Sequence, residues 1–519
     1  MSGWRTILAA ARAERQAFEA ARAGPRAAQL ALLDRIIREN ADSSFGRAHG
    51  FADIASLAAF QAQVPVRGYD EFRPWITRII AGEDRVLTAA PIVAFEETGG
   101  STSGGKLIPY SEAGLHGFRA AVLPWLAELA ARRPAAFAGR AYVAISPACR
   151  PPRAIGGIPV GLASDGGYLG ADLAASFAAV LAVSPAVARI ADVDAWRMAT
   201  LLALIRARDL SFISVWSPTF LISLVEAIGP HAERLIRALH DGDETAPATA
   251  GDPQLARLLA RATAGNPVDT QLLWPRLDTI SAWTHAAARV PAERLGDLFP
   301  HALVQGKGLL ATEGAVSVPY GGPWPVPALT SVFLEFTDEA GHCLLCDELR
   351  EGERYRVAIT TASGLYRYDL ADCVRCRGHA GGLPLLEFVG RDDITSDLVG
   401  EKLCEPFVGE ALGELAVPAC LAPCPGAPPF YELLVDTGGP AINGAIVAAV
   451  EARLRLNPQY AYARRLGQLG PITVRGVPDL FGRYTGILAG RQRRLGDIKP
   501  PVLITDRRVH SLLANQVDI

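Results

Sequence analysis

A loop rich in glycine and hydroxyl residues constrains the fold of this chain more than any other segment. Residues 97–106 read ETGGSTSGGK, between a predicted strand at residues 92–95 and an extended segment at residues 107–110. Glycines let backbone N–H groups converge on an anion, while hydroxyls add donors and a lysine adds charge. The sequence therefore predicts a phosphate-binding loop that ends at Lys106.

This loop satisfies only the first part of the P-loop pattern. Residues 100–106 fit GxxxxGK, but Leu107 follows where a P-loop has Ser or Thr to hold magnesium. A P-loop also opens a helix at that point, whereas Pro109 lies in an extended run. The LLCDE string at residues 344–348 resembles the strand–Asp element of P-loop ATPases, yet the residues after Lys106 argue against that class.

The length and charge of the chain limit the number of domains and the kinds of partner that it can have. At 519 residues the chain is longer than one hydrophobic core usually serves, so we expect a large domain and a smaller one. The net charge of −3 and pI near 6.3 argue against nucleic acid and anionic membranes as partners. The N-terminus lacks the apolar stretch of a signal peptide, and the longest uncharged run is too short for a bilayer span. We expect a cytoplasmic protein that is a monomer or a weak dimer.

Lysine is rare in this chain. Of 51 basic residues, 47 are arginines and four are lysines, namely Lys106, Lys307, Lys402 and Lys499. Because the chain uses arginine where only positive charge is needed, a lysine can mark a place that requires a compact, mobile ammonium.

The secondary structure expected from the pattern is mixed. Residues 4–40 are helical, Ser111 is an N-cap for a helix with Leu115 on its apolar face, and strands are predicted at 141–145, 331–336, 355–360 and 385–389. Helices are predicted between residues 173 and 227 and around residue 255. Beyond residue 391 we expect a helix from Glu405, a proline-rich loop over residues 418–429, and then strand, helix, strand and helix.

Motifs in a fixed order connect the loop to the rest of the chain. They are FGRAHGF (45–51), VPV (64–66) with Tyr69 and Phe72, ATEG (311–314), GLYRYDLADCV (364–374), FVGRDD (388–393), GEKL (400–403) and RLGDIKPP (494–501). Together with the loop, they resemble the acyl-adenylate-forming enzymes, and within them the auxin-responsive promoter family of acyl-acid amido synthetases. The resemblance covers essentially the whole chain.

The resemblance implies a site for ATP. Lys106 would act on the phosphates, Glu313 would lie near magnesium or the adenine, and Asp372 with Arg391 would hold the ribose hydroxyls. Lys499 would be brought into the site as a catalytic residue by the terminal motif, and Lys402 would lie just past a hinge and could serve either position of a mobile domain. The further implied ATP contacts are Thr98, Gly99, Gly100, Ser101, Thr102, Ser103, Ala311, Thr312 and Phe388.

The resemblance also implies a fold and a reaction. The fold is α/β, with mixed sheets and flanking helices, in a large N-terminal adenylate-forming domain (1–392) and a small mobile α/β C-terminal lid domain (393–519). The reaction uses ATP and Mg²⁺ to convert a small carboxylic acid into its acyl adenylate and then transfers the acyl group to the amine of an amino acid. An acyl-CoA ligase shares the first step. Gly99, Ser103 and Ala371 depart from the family pattern, which leaves a non-catalytic binding protein open.

The acid pocket and the cysteines carry weaker signals. The helix at residues 118–125 and the Ala-rich stretch from Leu173 offer walls with little charge, which favours an apolar or aromatic acid.

Two CxxC pairs, at residues 343–346 and 373–376, fall in strand-like segments where positions i and i+3 face opposite ways, so we expect reduced thiols rather than zinc. Lys307 matches none of the motifs, and we assign it a structural role.

Overall fold

The fold is described from a computed structural model of the chain. The structure describes residues 2–97, 106–144, 153–162, 165–242, 250–413, 415–438, 444–490 and 498–514. The predicted α/β class with mixed sheets and flanking helices is confirmed. Within these residues, no helix combines the length and the apolar character needed to cross a membrane.

The helices of the described residues are distributed along the whole chain. Their bounds are α1 Ser2–Ala23, α2 Pro25–Glu39, α3 Ser44–Ala48, α4 Leu57–Gln63, α5 Tyr69–Ile80, α6 Glu112–Arg132, α7 Ala171–Val180, α8 Val193–Arg206, α9 Pro218–Glu226, α10 Ala232–Asp241, α11 Pro253–Ala262, α12 Thr270–Leu273, α13 Arg289–Leu298, α14 Glu405–Leu412, α15 Gly444–Leu454, α16 Pro458–Arg465, α17 Leu480–Ala489 and α18 Arg507–Ala514.

The strands alternate with these helices in the first two thirds of the chain and near its end. Their bounds are β1 Ile92–Glu97, β2 Leu107–Ser111, β3 Arg140–Val143, β4 Arg153–Ile155, β5 Ile158–Val160, β6 Leu210–Ser214, β7 Thr279–Ala282, β8 Leu303–Gly306, β9 Leu310–Ala311, β10 Gly314–Ala315, β11 Ser317–Pro319, β12 Pro325–Pro327, β13 Phe333–Thr337, β14 Cys343–Leu344, β15 Arg354–Thr360, β16 Tyr368–Ala380, β17 Leu383–Arg391, β18 Thr395–Ser396, β19 Leu403–Cys404, β20 Ala419–Cys424, β21 Phe430–Asp436 and β22 Thr473–Val477.

Helix α6 begins where the sequence predicts and is buried more widely than predicted. The Ser111 side chain accepts a hydrogen bond from the backbone N–H of Gly114 at 3.2 Å, as an N-cap does. The predicted apolar face contains Leu115, which is only half-buried, whereas Leu123 on another face is fully buried. The helix therefore packs against neighbours on several sides rather than on one stripe.

A four-stranded parallel sheet supports one side of the site. Its strand order is β3-β6-β7-β8, with helices in the connections, as expected for parallel strands. The carboxyl ends of β6, β7 and β8 meet at one edge of this sheet. Ligands of open α/β sheets bind outside this edge.

A five-stranded antiparallel sheet supports the other side, in the order β14-β13-β15-β16-β17. The register between β15 and β16 shifts around residues 370–372, which form an irregularity in β16. Ala371 lies in this irregularity with a φ of 59°, in the left-handed region that favours glycine. This explains why the resemblance expects glycine at that position, and it redirects the neighbouring Asp372.

The C-terminal part has hydrophobic clusters of its own. Strands β20, β21 and β22 form a three-stranded sheet, and Leu421 N donates to Val502 O at 2.8 Å on the outer edge of β20. Buried side chains such as Leu433 and Leu503 pack in one of these clusters, and Leu434 packs in another.

Two strands lie in segments that the sequence assigns to helix or loop. The helices predicted between residues 173 and 227 are present as α7, α8 and α9, but strand β6 lies between them, because a run as short as LSFIS does not separate a buried strand from a buried helix. The proline-rich loop over residues 418–429 contains strand β20, in which Pro423 pairs with Tyr431. A strand at this position tolerates proline when the missing N–H is not needed by the neighbouring strand.

The CxxC cysteines lie in different local structures. Cys343 is in β14 and its Sγ accepts from Arg367 at 3.1 Å, while Cys346 lies in the following 3₁₀ turn rather than in a strand. Cys373 and Cys376 are both in β16. Burial raises the pKa of Cys346 to about 12, which keeps that thiol protonated at neutral pH.

Candidate active site

Asp372 and Arg391 meet across two neighbouring strands. They are register partners on β16 and β17, and Arg391 Nη1 lies 3.4 Å from Asp372 Oδ1. Asp372 is 2% exposed, and burial raises the pKa of its carboxyl, while the charges of Arg391 and Lys499 lower it. The sequence predicts that both residues bind the ribose, and the structure brings them into contact.

Arg391 is held by a second carboxylate and lies beside a third. Its guanidinium makes two hydrogen bonds to Asp393, from Nε at 2.9 Å and from Nη2 at 2.8 Å. Its backbone N–H donates to Glu405 Oε2 at 3.2 Å. Burial acts to raise the pKa of Asp393, but the hydrogen bond and charge of Arg391 outweigh it, and the pKa of Asp393 is lowered. A bidentate pair of this kind fixes the plane of the guanidinium.

Lys499, in the C-terminal part of the chain, lies close to the charged cluster around Asp372 and Arg391. Its Nζ lies 5.0 Å from the centre of the Trp283 ring and 5.5 Å from that of Phe388. Its charge lowers the pKa values of both Asp372 and Glu405. Lys499, more than 100 positions after Asp372 in the sequence, therefore lies beside Asp372 and Arg391, the two residues predicted to bind the ribose.

Glu313 and Lys106 lie on the third side of the cluster. Glu313 Oε1 accepts from the Tyr368 hydroxyl at 3.2 Å. Burial and the negative charge of Asp372 raise the pKa of Glu313, while Lys106 and Arg391 lower it. A pocket lined by Tyr110, Glu313 and residues 361–363, among others, lies beside it. An added positive charge would therefore stabilise the ionised carboxylates of both Asp372 and Glu313.

The position of Lys106 is set by the start of β2. The Tyr69 hydroxyl accepts from Leu107 N at 2.9 Å and donates to Leu107 O at 3.4 Å, and Lys106 Nζ lies 5.7 Å from the Tyr69 ring centre. This contact gives a physical role to Tyr69, one of the motif residues. The charge of Lys106 also lowers the pKa of Asp393, so the lysine faces the cluster.

The other predicted site residues fall into three groups. Ala311 is in β9 and Thr312 follows it, so both lie next to Glu313, and Phe388 contacts Lys499. Lys402 is exposed, with a φ of 46°, and within the described ranges no hydrogen bond or ion pair joins it to the cluster. The loop residues Thr98, Gly99, Gly100, Ser101, Thr102 and Ser103 lie outside the described residues.

Sequence reasoning missed two members of the cluster. Trp283 follows β7 and carries no motif, so only the parallel sheet shows that it lies at the site. Glu405 begins α14, and burial raises the pKa of its carboxyl to about 7 despite the nearby charge of Lys499. Its place two residues after the GEKL motif is the one sequence signal that could have indicated it.

The arrangement suits a nucleotide and a divalent cation. The acidic members are Glu313, Asp372, Asp393 and Glu405, and the basic members are Lys106, Arg391 and Lys499. At Glu313, burial and the negative charge of Asp372 outweigh the positive charges of Lys106 and Arg391, so the pKa of its carboxyl is raised. A carboxylate oxygen in such surroundings fits Mg²⁺, which prefers hard oxygen ligands and keeps part of its water shell.

Family models match most of the chain. The model of the GH3 family N-terminal domain matches residues 14–304, and that of the GH3 family central domain matches residues 326–391. These matches confirm the family that the motifs indicate. Asp372 and Arg391 lie in the region that the central-domain model matches, and Glu313 lies between the two matched regions.

Curated relatives are similar over part of their length. The chain is 25% identical over 315 residues to the GH3 domain-containing protein of Homo sapiens, covering 53% of this chain and 57% of that protein. It is 27% identical over 191 residues to the probable indole-3-acetic acid-amido synthetase GH3.9 of Oryza sativa subsp. japonica, covering 32% and 43%. The chain thus spans little more than half of the first relative and less than half of the second.

Solved structures share the fold over nearly the full length. The GH3.15 acyl acid amido synthetase superposes with a TM-score of 0.83 at 18% identity, over 96% of this chain and 95% of that one. A 2-hydroxyisobutyryl-CoA ligase with 2-HIB-AMP superposes with a TM-score of 0.54 at 13% identity, over 93% and 90%. The chain therefore has the fold of these enzymes, with a large N-terminal and a small C-terminal domain.

Proposed function

This chain belongs to the GH3 family, and from that premise we propose that it activates a small carboxylic acid with ATP and joins it to an amino acid. The observation that carries the proposal is the convergence of Asp372, Arg391 and Lys499. Two neighbouring motifs and a third more than 100 residues later supply these residues, and they bring both charge signs to one place. A non-catalytic protein on the same fold has no need of a lysine from its C-terminal part at this position.

The ribose of ATP would be fixed by Asp372 and Arg391. A buried carboxylate accepts hydrogen bonds from the two ribose hydroxyls and gains free energy when those donors replace water. Arg391 favours the ionised form of the Asp372 carboxyl, since the charge of Arg391 opposes the upward pKa shift caused by burial. Asp393 in turn holds the plane of the guanidinium.

Adenylation is mainly a matter of alignment and charge. A carboxylate oxygen of the acid attacks the α-phosphorus of ATP, a new P–O bond forms, and the bond to pyrophosphate breaks. Lys499 stabilises the charge that develops near the bridging oxygen, and Lys106 acts on the phosphates. Glu313 would hold the magnesium ion, which neutralises phosphate charge when it is bound.

In the second step, the acyl group of the adenylate is transferred to the amino acid to form an amide. The amine of the amino acid attacks the acyl carbon, the bond to the AMP oxygen breaks, and the nitrogen loses a proton. The mixed anhydride must be kept from water between the steps, which favours a lid that moves between two positions. We place the boundary of this lid between residues 392 and 393. Lys402 lies just past this boundary and could serve either position of the lid.

An exchange assay tests the proposal. The protein is incubated with ATP, Mg²⁺, labelled pyrophosphate and one acid at a time, from a panel that includes indole-3-acetic acid and 2,4-DB. Label enters ATP only when an acyl adenylate forms reversibly. Label in ATP with at least one acid supports the proposal, and no exchange with any acid favours a non-catalytic binding protein.

The acceptor is then identified with the active acid. Amino acids or CoA are added in turn, and the products are identified by mass spectrometry. An amide supports the amido synthetase, whereas a thioester formed only with CoA makes the chain an acyl-CoA ligase. The Asp372→Asn variant is the negative control, because it keeps the shape of the side chain but removes its charge.

A further inference from the structure

Lys307 carries a buried ammonium group that no carboxylate neutralises within the described residues. The residue is 6% exposed. Its Nζ donates to Ser214 Oγ at 2.7 Å and to Ser281 Oγ at 3.2 Å. Buried lysines are almost always paired with a negative group, because an ammonium loses much hydration free energy on burial. The structural role that the sequence indicated does not explain this burial.

The position of the ammonium is closely fixed. Nζ lies 5.2 Å from the Trp125 ring centre and 5.3 Å from that of Trp216, so two aromatic faces flank it. The backbone on either side is tightly packed, since a Cβ on Gly306 would lie 2.4 Å from Thr284 Oγ1, and one on Gly308 would lie 1.8 Å from Ser317 O. Residues 306 and 308, on either side of Lys307, therefore have to be glycine.

Lys307 is also close to the adenylate cluster. It follows β8 directly, at the carboxyl edge of the parallel sheet, and Ser214 and Ser281 belong to the ends of β6 and β7. The Trp216 ring lies 5.9 Å from the Trp283 ring, and Trp283 is in contact with Lys499. A continuous row of side chains therefore joins Lys307 to the lysine proposed to act on the reacting carboxylate.

In its protonated form the Lys307 amine has three donors, and within the described part of the chain only two of them have hydrogen-bond acceptors. We propose that the third receives an oxygen of the acid itself, and that Lys307 selects acids with a second carboxylate at the end distal to the adenylated one. This inference rests on the proposed function. The second carboxylate supplies the missing counter-charge, and the tryptophan faces contact the apolar body between the two carboxylates.

Matched pairs of acids test this selection. Pyrophosphate exchange is measured with benzoate against terephthalate and with hexanoate against adipate, in the wild type and in Lys307→Met. In the wild type we expect kcat/KM for the diacid to exceed that for the monoacid by about ten-fold or more, the size of one charge-assisted hydrogen bond. In Lys307→Met the preference disappears, while exchange with the monoacids is retained. The Arg38→Met variant removes an exposed cation and serves as the control for lost charge alone.

Direct binding separates this inference from the proposed reaction. The same acids are titrated calorimetrically in the presence of α,β-methylene-ATP, which cannot be cleaved at the α-phosphate. Diacid binding that is weakened by Lys307→Met, but not by Arg38→Met, supports the inference even if no acid supports exchange. An unchanged diacid-to-monoacid ratio in Lys307→Met overturns it, as does a wild type that binds no diacid.

Discussion

The buried ammonium of Lys307 makes the stability of the protein depend on pH in a defined window. Burial lowers the pKa of Lys307 to about 7 from the usual 10.5. Between these two values the unfolded chain binds a proton that the folded chain has released. Stability therefore rises with pH across the window from about 7 to 10.5, and below about 7 the full cost of the buried charge is present.

The size of this contribution follows from the width of the window. Each pH unit of difference corresponds to about 1.4 kcal/mol, so the full window amounts to roughly 5 kcal/mol. Lys307→Met removes the titrating group and keeps a long side chain between Trp125 and Trp216. We expect the variant to be more stable than the wild type at pH 7, with a difference that narrows by about 1 kcal/mol or more per pH unit up to pH 10.

The measurement is urea denaturation of both proteins at several pH values between 7 and 10. The quantity of interest is the difference in unfolding free energy, because titration of all other groups is common to both proteins. Arg38→Met, which removes an exposed guanidinium, should show a difference from the wild type that does not vary with pH in this range. A flat difference for Lys307→Met would refute the reasoning and show that the ammonium is hydrated or paired in solution.

Four further outcomes are expected. Asp372→Ala should lower kcat/KM for ATP about 100-fold and remove the preference for ATP over its 2′,3′-dideoxy analogue, measured by pyrophosphate exchange. Lys499→Ala should lower adenylate formation by about 10²-fold or more, yet still consume a supplied acyl adenylate; equal loss of both steps contradicts its assignment. Ala371→Gly should stabilise the protein by about 1 kcal/mol in urea, since the left-handed φ of 59° strains alanine. Arg367→Met should destabilise it by about 3–5 kcal/mol, because Glu335, 1% exposed and 2.8 Å from Arg367, would lose its charge partner; a loss below 1 kcal/mol argues against this.

The site could be predicted from the sequence where motifs carry it. Asp372 and Arg391 each lie in a recognisable string, and adjacent antiparallel strands then bring them together. The fold class follows from the same motifs. Strand β6 could not be predicted, because a run as short as LSFIS fits a buried strand and a buried helix equally well.

Long-range packing accounts for what the sequence did not reveal. The burial of Lys307 depends on Trp125, which lies 182 positions earlier in the chain, and on Trp216 at the end of another strand. A lysine between two glycines has no local pattern that indicates such an environment. The raised pKa of Glu405 likewise arises from burial against groups that the folded chain supplies.

Isotope transfer shows whether ATP and an acid react at this site to give an acyl adenylate. An acid that is active in exchange is labelled with ¹⁸O in both carboxylate oxygens and is allowed to react with ATP, Mg²⁺ and an amino acid. We expect AMP to carry one ¹⁸O atom and the amide to carry the other, because the acyl C–O bond is broken in the second step. Unlabelled AMP, or ADP with labelled phosphate, would rule out an acyl adenylate.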